Sequence, residues 1–202
     1  MNKSNKLVRG IGDKGLEYST KEDGIPKKEY RLWGSMLERC TEKYWSNAPA
    51  YVGTTCSNGF KSYTFFYEWC QKQVGFGNKD DNGRSWCLDK DILVKGNKVY
   101  SEDTCAFVPN RINTLIIKRD ASRGEFPIGV HWHSRFDKYA ASCRDWRSTK
   151  WHLGYFNTPQ EAFLAYKAFK EALIKEVANE YKEMLDSRVY EALMNYEVNE
   201  ND

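Results

Sequence analysis

The feature that most constrains the fold is a helix start at Thr158-Pro159-Gln160-Glu161. The threonine can cap the helix, proline suits the first helical position, and the glutamate can bond back to the cap in a capping box. The residues that follow repeat at helical spacing and predict one apolar face, made of Ala162, Tyr166, Phe169, Leu173, Val177 and Tyr181. The pattern therefore predicts a long amphipathic helix that needs an apolar partner surface.

Three short aromatic-rich segments precede this helix. They are GVHWHSRF (129–136), KYAASCRDW (138–146) and KWHLGYF (150–156). Short runs separated by polar, turn-like residues are typical of antiparallel strands. We therefore predict a three-stranded antiparallel sheet packed on the long C-terminal helix.

The sequence before the predicted sheet indicates N-terminal helices followed by a ββα unit. The predicted fold class is therefore α+β. Apolar residues at three- and four-residue steps indicate a first helix from Lys28 and a second over about 63–74. Short apolar runs at 86–88 and 105–108, and Pro109 after them, give the order strand, loop, strand, helix. The predicted regions are a flexible arm (1–27), the helical and ββα module (28–115), a linker (116–125), the sheet-and-helix domain (126–186) and an acidic tail (187–202).

Composition excludes a membrane-spanning protein and a polycation. The net charge is +3, 41% of the residues are hydrophobic, and no apolar run approaches the roughly 20 residues that cross a bilayer. The six cysteines form no C-x-x-C pair, which favours free thiols in a reducing compartment. We expect a cytoplasmic protein.

Positive charge concentrates on the predicted sheet. Between residues 123 and 151 the positive residues are Arg123, Arg135, Lys138, Arg144, Arg147 and Lys150, and the negative ones are Glu125, Asp137 and Asp145. The difference of three equals the net charge of the whole chain. Because strand side chains alternate, a sheet backed by one helix has a single free face, where these charges and the interleaved aromatic residues should gather. The sequence therefore predicts a surface for double-stranded DNA.

Two other interpretations of this region stay open. Its charges could be merely solvated while its tryptophans fill a core. All three histidines, His131, His133 and His152, also lie here beside Cys143, so a zinc site is possible if another residue joins them.

The domain resembles the plant ethylene-response-factor (Apetala-type) DNA-binding domain and its relatives in bacteriophage homing endonucleases. The resemblance covers about a quarter of the chain and rests on these residues: Gly129-Val130, Lys138-Tyr139-x-Ala141, Arg144, Leu153-Gly154-x-Phe156-x-Thr158, Glu161-Ala162 and Ala165-Tyr166. It implies that Arg and Trp side chains of the sheet read DNA. The matching positions are His131, Tyr139, Arg144 and His152, so only one keeps the usual residue type, and we expect an altered or relaxed sequence preference.

The predicted DNA-binding residues of this domain combine those positions with the neighbouring cations and tryptophans. They are His131, Trp132, Arg135, Lys138, Tyr139, Arg144, Trp146, Arg147, Lys150, Trp151 and His152.

The stretch from Trp86 to Asn113 resembles the ββα-metal fold of HNH endonucleases, which phage genomes often join to an Apetala-type domain. The resemblance implies Asp89, Asp91 and Asn113 as catalytic residues, with Asp89 and Asn113 as oxygen ligands of Mg²⁺. Lys90 stands where the family has its general-base histidine, and no histidine precedes His131. The usual mechanism therefore fails, which favours a degenerate fold whose lysines, Lys90 and Lys98 among them, contact phosphates.

Three functions follow as expectations. The leading one is a DNA-binding protein with an inactive HNH-like module. The first alternative is a metal-dependent endonuclease with a variant active site, in which Asp91 serves as the base. The second is a phage protein that binds and inhibits a host protein; a phage origin, implied by the resemblance, would place the chain in the cytoplasm of an infected bacterium.

Overall fold

The computed structural model describes residues 6–116 and 124–202, and the chain divides into two compact units, Met1–Val108 and Pro109–Asp202. The boundary lies ahead of the predicted linker 116–125 because helix α5 (Asn110–Ile116) packs on the long helix of the second unit. Residues 117–123 of that linker lie outside the described residues.

The N-terminal unit combines short helices with pairs of short strands. Its helices are α1 (Lys28–Arg39), α2 (Glu42–Trp45), α3 (Asn58–Lys61) and α4 (Tyr63–Lys72). Its strands are β1 (Lys21–Glu22), β2 (Ile25–Pro26), β3 (Thr55–Cys56), β4 (Cys87–Asp89), β5 (Val99–Tyr100) and β6 (Ala106–Val108). The pairs β1–β2 and β4–β6 are antiparallel, and β3–β5 is parallel. The two predicted N-terminal helices are confirmed.

Aromatic side chains from α1, α3, α4 and β6 contribute to the core of this unit, and Trp33 of α1 is fully buried. The Trp69 ring lies 4.8 Å from Phe60 and 5.8 Å from Phe107.

Part of the predicted arm (1–27) contacts this unit, since the Tyr18 ring stacks on Tyr67 of α4 at 4.0 Å, whereas Leu16 and Ile25 are 88% and 66% exposed. Gly12 is buried, and a Cβ there would lie 2.3 Å from Leu37 Cδ1, so only glycine lets the backbone pass.

The C-terminal unit has the predicted three strands and long helix. After α5 come β7 (Val130–His133), β8 (Lys138–Arg144), β9 (Lys150–Phe156), α6 (Pro159–Glu180) and α7 (Ser187–Met194). The sheet is antiparallel in the order β7-β8-β9 and packs on α6. Thr158 and Glu161 make both hydrogen bonds of the capping box. The α+β class and this sheet-on-helix arrangement are therefore confirmed.

The segment predicted as an acidic tail (187–202) differs from that expectation. Val189 and Leu193 of α7 are buried, and so is Val198 beyond it. The Val198 backbone amide donates to Glu171 Oε1 at 2.8 Å, and Lys167 Nζ donates to the Val198 carbonyl at 2.9 Å. Apolar residues spaced along an acidic segment therefore anchor it to α6.

All six cysteines carry free thiols, as expected. No helix in residues 6–116 and 124–202 is long and apolar enough to cross a membrane.

Candidate nucleic-acid interface

The sheet has one face on α6 and one open face, and strand register assigns each side chain to one of them. Val130, Cys143 and Leu153 pack with Phe163 and Tyr166 of α6. The opposite side, here named the free face, follows from alternation along the strands and from the observed pairs. The free face consists of His131, His133, Lys138, Ala140, Ser142, Arg144, Lys150, His152 and Tyr155.

Charge on the free face has one sign. None of the residues in β7, β8 and β9 is acidic, whereas the free face carries Lys138, Arg144 and Lys150 together with three histidines. Arg144 pairs with Lys150 across the strands, and both are exposed. One Arg144 nitrogen donates to the Ser148 carbonyl at 2.9 Å, which directs the guanidinium along the β8–β9 loop. The arrangement suits an extended polyanion.

Aromatic rings cluster at the end of the free face near the β7–β8 turn. His133 lies 4.9 Å from Phe136 and 5.1 Å from Tyr155, while His152 lies 4.5 Å from Tyr155. Phe136 and Tyr155 remain 48% and 43% exposed. Small Ala140, paired with both His131 and Tyr155, leaves room for these rings.

Sequence reasoning missed Tyr155 and Phe136 as site residues. His152 and Tyr155 share a face although they are three positions apart in the strand, because the register shifts between Ala141 and Ser142. This irregularity lies opposite Leu153 and Gly154, and Gly154 has a φ of 133°. A glycine inside a strand pattern is the sequence signal for such a bulge.

Trp132, Tyr139 and Trp151 are not part of the free face, but Trp132 and Trp151 are 43% and 48% exposed, so their DNA contacts stay a prediction. Trp132 lies 4.9 Å from Tyr139, on the side of the sheet that α6 covers. Trp151 lies 6.0 Å from Phe169 of α6, and its indole nitrogen donates to Asp145 Oδ2 at 3.1 Å. Each of these residues is next in sequence to a free-face residue, so alternation directs it to the other side.

Trp146 lies in the β8–β9 loop and is held by two guanidinium groups. Arg111 Cζ is 3.7 Å from the ring centroid and Arg147 Cζ is 4.3 Å from it. Arg111 is itself fixed by a two-point ion pair with Glu180. Stacking between two cations gives Trp146 a structural role in this loop. The prediction from sequence had given Trp146 a DNA contact only.

Asp145 organises the same loop. Its Oδ1 accepts hydrogen bonds from the Arg147 and Thr149 amides at 2.8 and 2.9 Å. Burial opposes ionisation of this carboxyl, but the hydrogen bonds from Trp151, Thr149 and Arg147 outweigh it and lower the pKa. Arg135 lies in the other turn, with Cζ 5.7 Å from the Phe136 ring.

The histidines are close enough to influence one another. Partial burial lowers the pKa of His131, and the nearby Lys150, His133 and His152 lower it further. In the described residues, no three His, Cys, Asp or Glu side chains form a group that could hold a metal ion. The zinc interpretation therefore has no support.

The Asp89-Lys90-Asp91 segment of the N-terminal unit is engaged internally. Asp89 Oδ1 accepts hydrogen bonds from the Asp91 and Ile92 amides at 2.9 and 2.7 Å, and Asp89 is only 8% exposed. Burial, then the neighbouring Asp91 charge, raise the pKa of Asp89 to about 6. Lys90 is also 8% exposed, and its Nζ lies 3.4 Å from Asp91 Oδ2.

These positions differ from the predicted site in two ways. Lys90 is too buried to meet a phosphate without leaving Asp91, whereas Lys98 is exposed although it donates to the Ala50 carbonyl. Asn113 lies on α5, half-buried, in the C-terminal unit.

Comparisons with known protein families, with curated proteins and with solved structures each found no match.

Proposed function

We propose that this protein binds double-stranded DNA through the free face of its three-stranded sheet. One observation carries the proposal: the free face presents Lys138, Arg144, Lys150 and three histidines, and its strands contain no acidic residue. Phosphates supply most of the affinity of a protein for DNA, and lysine and arginine side chains bind them. The acidic residues of the region, Asp137 and Asp145, lie in the turns.

The dimensions of the sheet agree with this proposal. Neighbouring strands lie about 4.8 Å apart, so three strands span about 10 Å, and the major groove is about 12 Å wide. The hairpin turns at the ends of β7, β8 and β9 carry Arg135 and Arg147, which extend the positive surface along the strand direction.

The strand register narrows the set of positions, taken from the resemblance to the ethylene-response-factor domain, that can face DNA. Of the four positions that match DNA-reading residues, His131, Arg144 and His152 belong to the free face and Tyr139 to the face on α6. We therefore propose base contacts from Arg144 and the two histidines, and a packing role for Tyr139. An imidazole is a weaker and less directional donor than a guanidinium fork, which favours relaxed sequence preference.

We further propose that the segment with β4 and β6 derives from an HNH-like sequence that no longer cuts DNA; α5, which follows it along the chain, belongs to the other compact unit. Asp89 supplies one oxygen to two backbone amides, so less of its carboxylate is available to a cation. Lys90 stands where a base is expected, and its Nζ lies 3.4 Å from Asp91 Oδ2, so it is engaged with a carboxylate. Both residues are explained by local structure without catalysis.

The alternative is a metal-dependent endonuclease, and one observation favours it. The base of this alternative is Asp91, whose side chain is 43% exposed and can be reached by water. Incubating the full chain with plasmid DNA and Mg²⁺ or Mn²⁺ tests this directly. Nicked or linear product that disappears in Asp89→Asn would establish the enzyme and overturn the proposal that the unit is inactive.

A gel-shift titration on duplex DNA tests the binding function itself. For roughly six phosphate contacts, the affinity should fall about a thousandfold between about 50 and 200 mM salt. Salt-independent binding, or none at low salt, contradicts the proposal. In that case a partner that survives nuclease treatment in a pulldown would point to the protein-inhibitor alternative.

A further inference from the structure

The free face contains every histidine of the chain. The sequence has three histidines, and alternation with the observed register places all of them on this surface. His131 and His152 are exposed, and His133 is half-buried with an Nδ1 that has no hydrogen-bond partner. No other part of the molecule contains an imidazole, so any histidine titration of this protein reports on this surface.

The groups that surround the histidines are mostly cationic. On β8 and β9 the charged or titratable neighbours are Lys138, Arg144, Lys150 and Tyr155, the β7–β8 turn adds Arg135 and Asp137, and the β8–β9 loop adds Asp145 and Arg147. Helix α6 packs on the opposite face. Asp145 is engaged with loop amides and Trp151, so it is not free to neutralise an imidazolium.

This arrangement disfavours a protonated imidazole at His131 in the free protein, and a bound polyanion would favour protonation on this surface. Partial burial, followed by the nearby Lys150 and the other two histidines, lowers the pKa of His131. A phosphate placed over the same surface reverses the sign of the local charge and stabilises the imidazolium. Ligand binding and proton binding to the same surface are then linked.

We propose that His131, His133 and His152 form a proton-coupled phosphate site, so that DNA binding takes up protons and strengthens as the pH falls. This inference rests on the proposed function and adds the regulation of the same site. The sign follows from linkage: the complex holds more protons than the free protein, so affinity decreases as pH rises through the histidine range. Each unit by which DNA raises one histidine pKa is worth about tenfold in affinity.

The test measures the dissociation constant of the full chain for a mixed-sequence duplex of about 20 base pairs at about pH 5.5 and about pH 8, at constant low salt. We expect binding at least about tenfold weaker at the higher pH. Phosphodiesters stay ionised throughout this range, so the change belongs to the protein. The variant His131→Gln/His152→Gln should lose most of this pH dependence, and His131→Arg/His152→Arg should bind tightly at both pH values.

Proton NMR of the imidazole C2 resonances, free and DNA-bound, gives the second measurement. Circular dichroism checks that each variant is folded. We expect folded variants because the side chains of His131 and His152 are exposed. DNA binding with an unchanged pH dependence in the glutamine variant, or with histidine pKa values that do not rise in the complex, overturns this inference and leaves DNA binding standing. No binding at any pH at low salt overturns both.

Discussion

The two regions predicted to contact DNA both carry lysines, but the partners of their side chains differ. On the free face, Lys150 and Arg144 are exposed and lie beside other cations and imidazoles. In the N-terminal unit, Lys90 is buried against Asp91, beside the hydrogen-bonded Asp89 carboxyl. Exposed charges with like neighbours are stabilised by an external anion, whereas a charge with an opposite neighbour is already paired. The comparison shows why residue type alone does not identify a phosphate-binding surface.

The largest effect should come from removing three cations of the free face. Lys138→Gln/Arg144→Gln/Lys150→Gln should weaken duplex binding about a hundredfold at about 0.1 M salt and reduce the salt slope by about three. The measurement is a salt series of binding isotherms.

The matched control removes three exposed lysines from the N-terminal unit. Lys14→Gln/Lys43→Gln/Lys72→Gln, all exposed in the structure, causes the same change in net charge and should alter affinity less than about tenfold. Equal losses in the two variants would mean that net charge, and not the free face, determines binding.

The next effect distinguishes packing from DNA contact at Trp146. Trp146→Ala should lower the free energy of unfolding by about 2 kcal/mol, because stacking with Arg111 and Arg147 is lost. Chemical denaturation measures the loss. DNA affinity under folding conditions should change little, and a large loss of affinity with unchanged stability would return Trp146 to the DNA-binding surface.

A smaller effect concerns Asp89. Its pKa, about 6 in the folded chain, exceeds the ordinary value of 3.8, so folding favours the protonated form. The protonated form therefore stabilises the fold at low pH. This contribution to the free energy of unfolding is lost as pH rises from the ordinary pKa of 3.8 through the folded pKa of about 6. The free energy of unfolding should therefore fall by about 1 kcal/mol from pH 5 to 7.

Asp89→Asn keeps an oxygen acceptor for the Asp91 and Ile92 amides and cannot ionise. Denaturation at several pH values should show that this variant has lost the dependence. If the wild-type protein instead gains stability from pH 5 to 7, a cation or hydrogen-bond donor stabilises the Asp89 carboxylate, and the raised pKa is contradicted.

The smallest effect should come from the aromatic cluster. Tyr155→Ala should weaken DNA binding about threefold, which is under about 1 kcal/mol, because the ring supports His133 and His152. Tyr155→Phe keeps the ring and should restore the affinity. Trp132→Ala, on the face toward α6, should leave affinity unchanged, and the opposite ranking would mean that the two faces are wrongly assigned.

Local sequence determined the elements of the C-terminal unit. The capping box at Thr158 and Glu161, the spacing of the α6 apolar residues and the three short aromatic runs each act within a few residues of chain, so their patterns are visible without a fold. For the same reason, the positive charge of the strands was predictable.

Only the tertiary structure decided which charged and aromatic side chains are available. The register shift near Gly154 places Tyr155 with His152 on the free face, and alternation turns Trp132 and Trp151 away from it. Lys90 was predicted to contact phosphate, yet folding buries it beside Asp91. A side chain's partners depend on residues distant in sequence, and the energy of a charge depends on those partners, so sequence determined the strands and the helix while packing selected the binding surface.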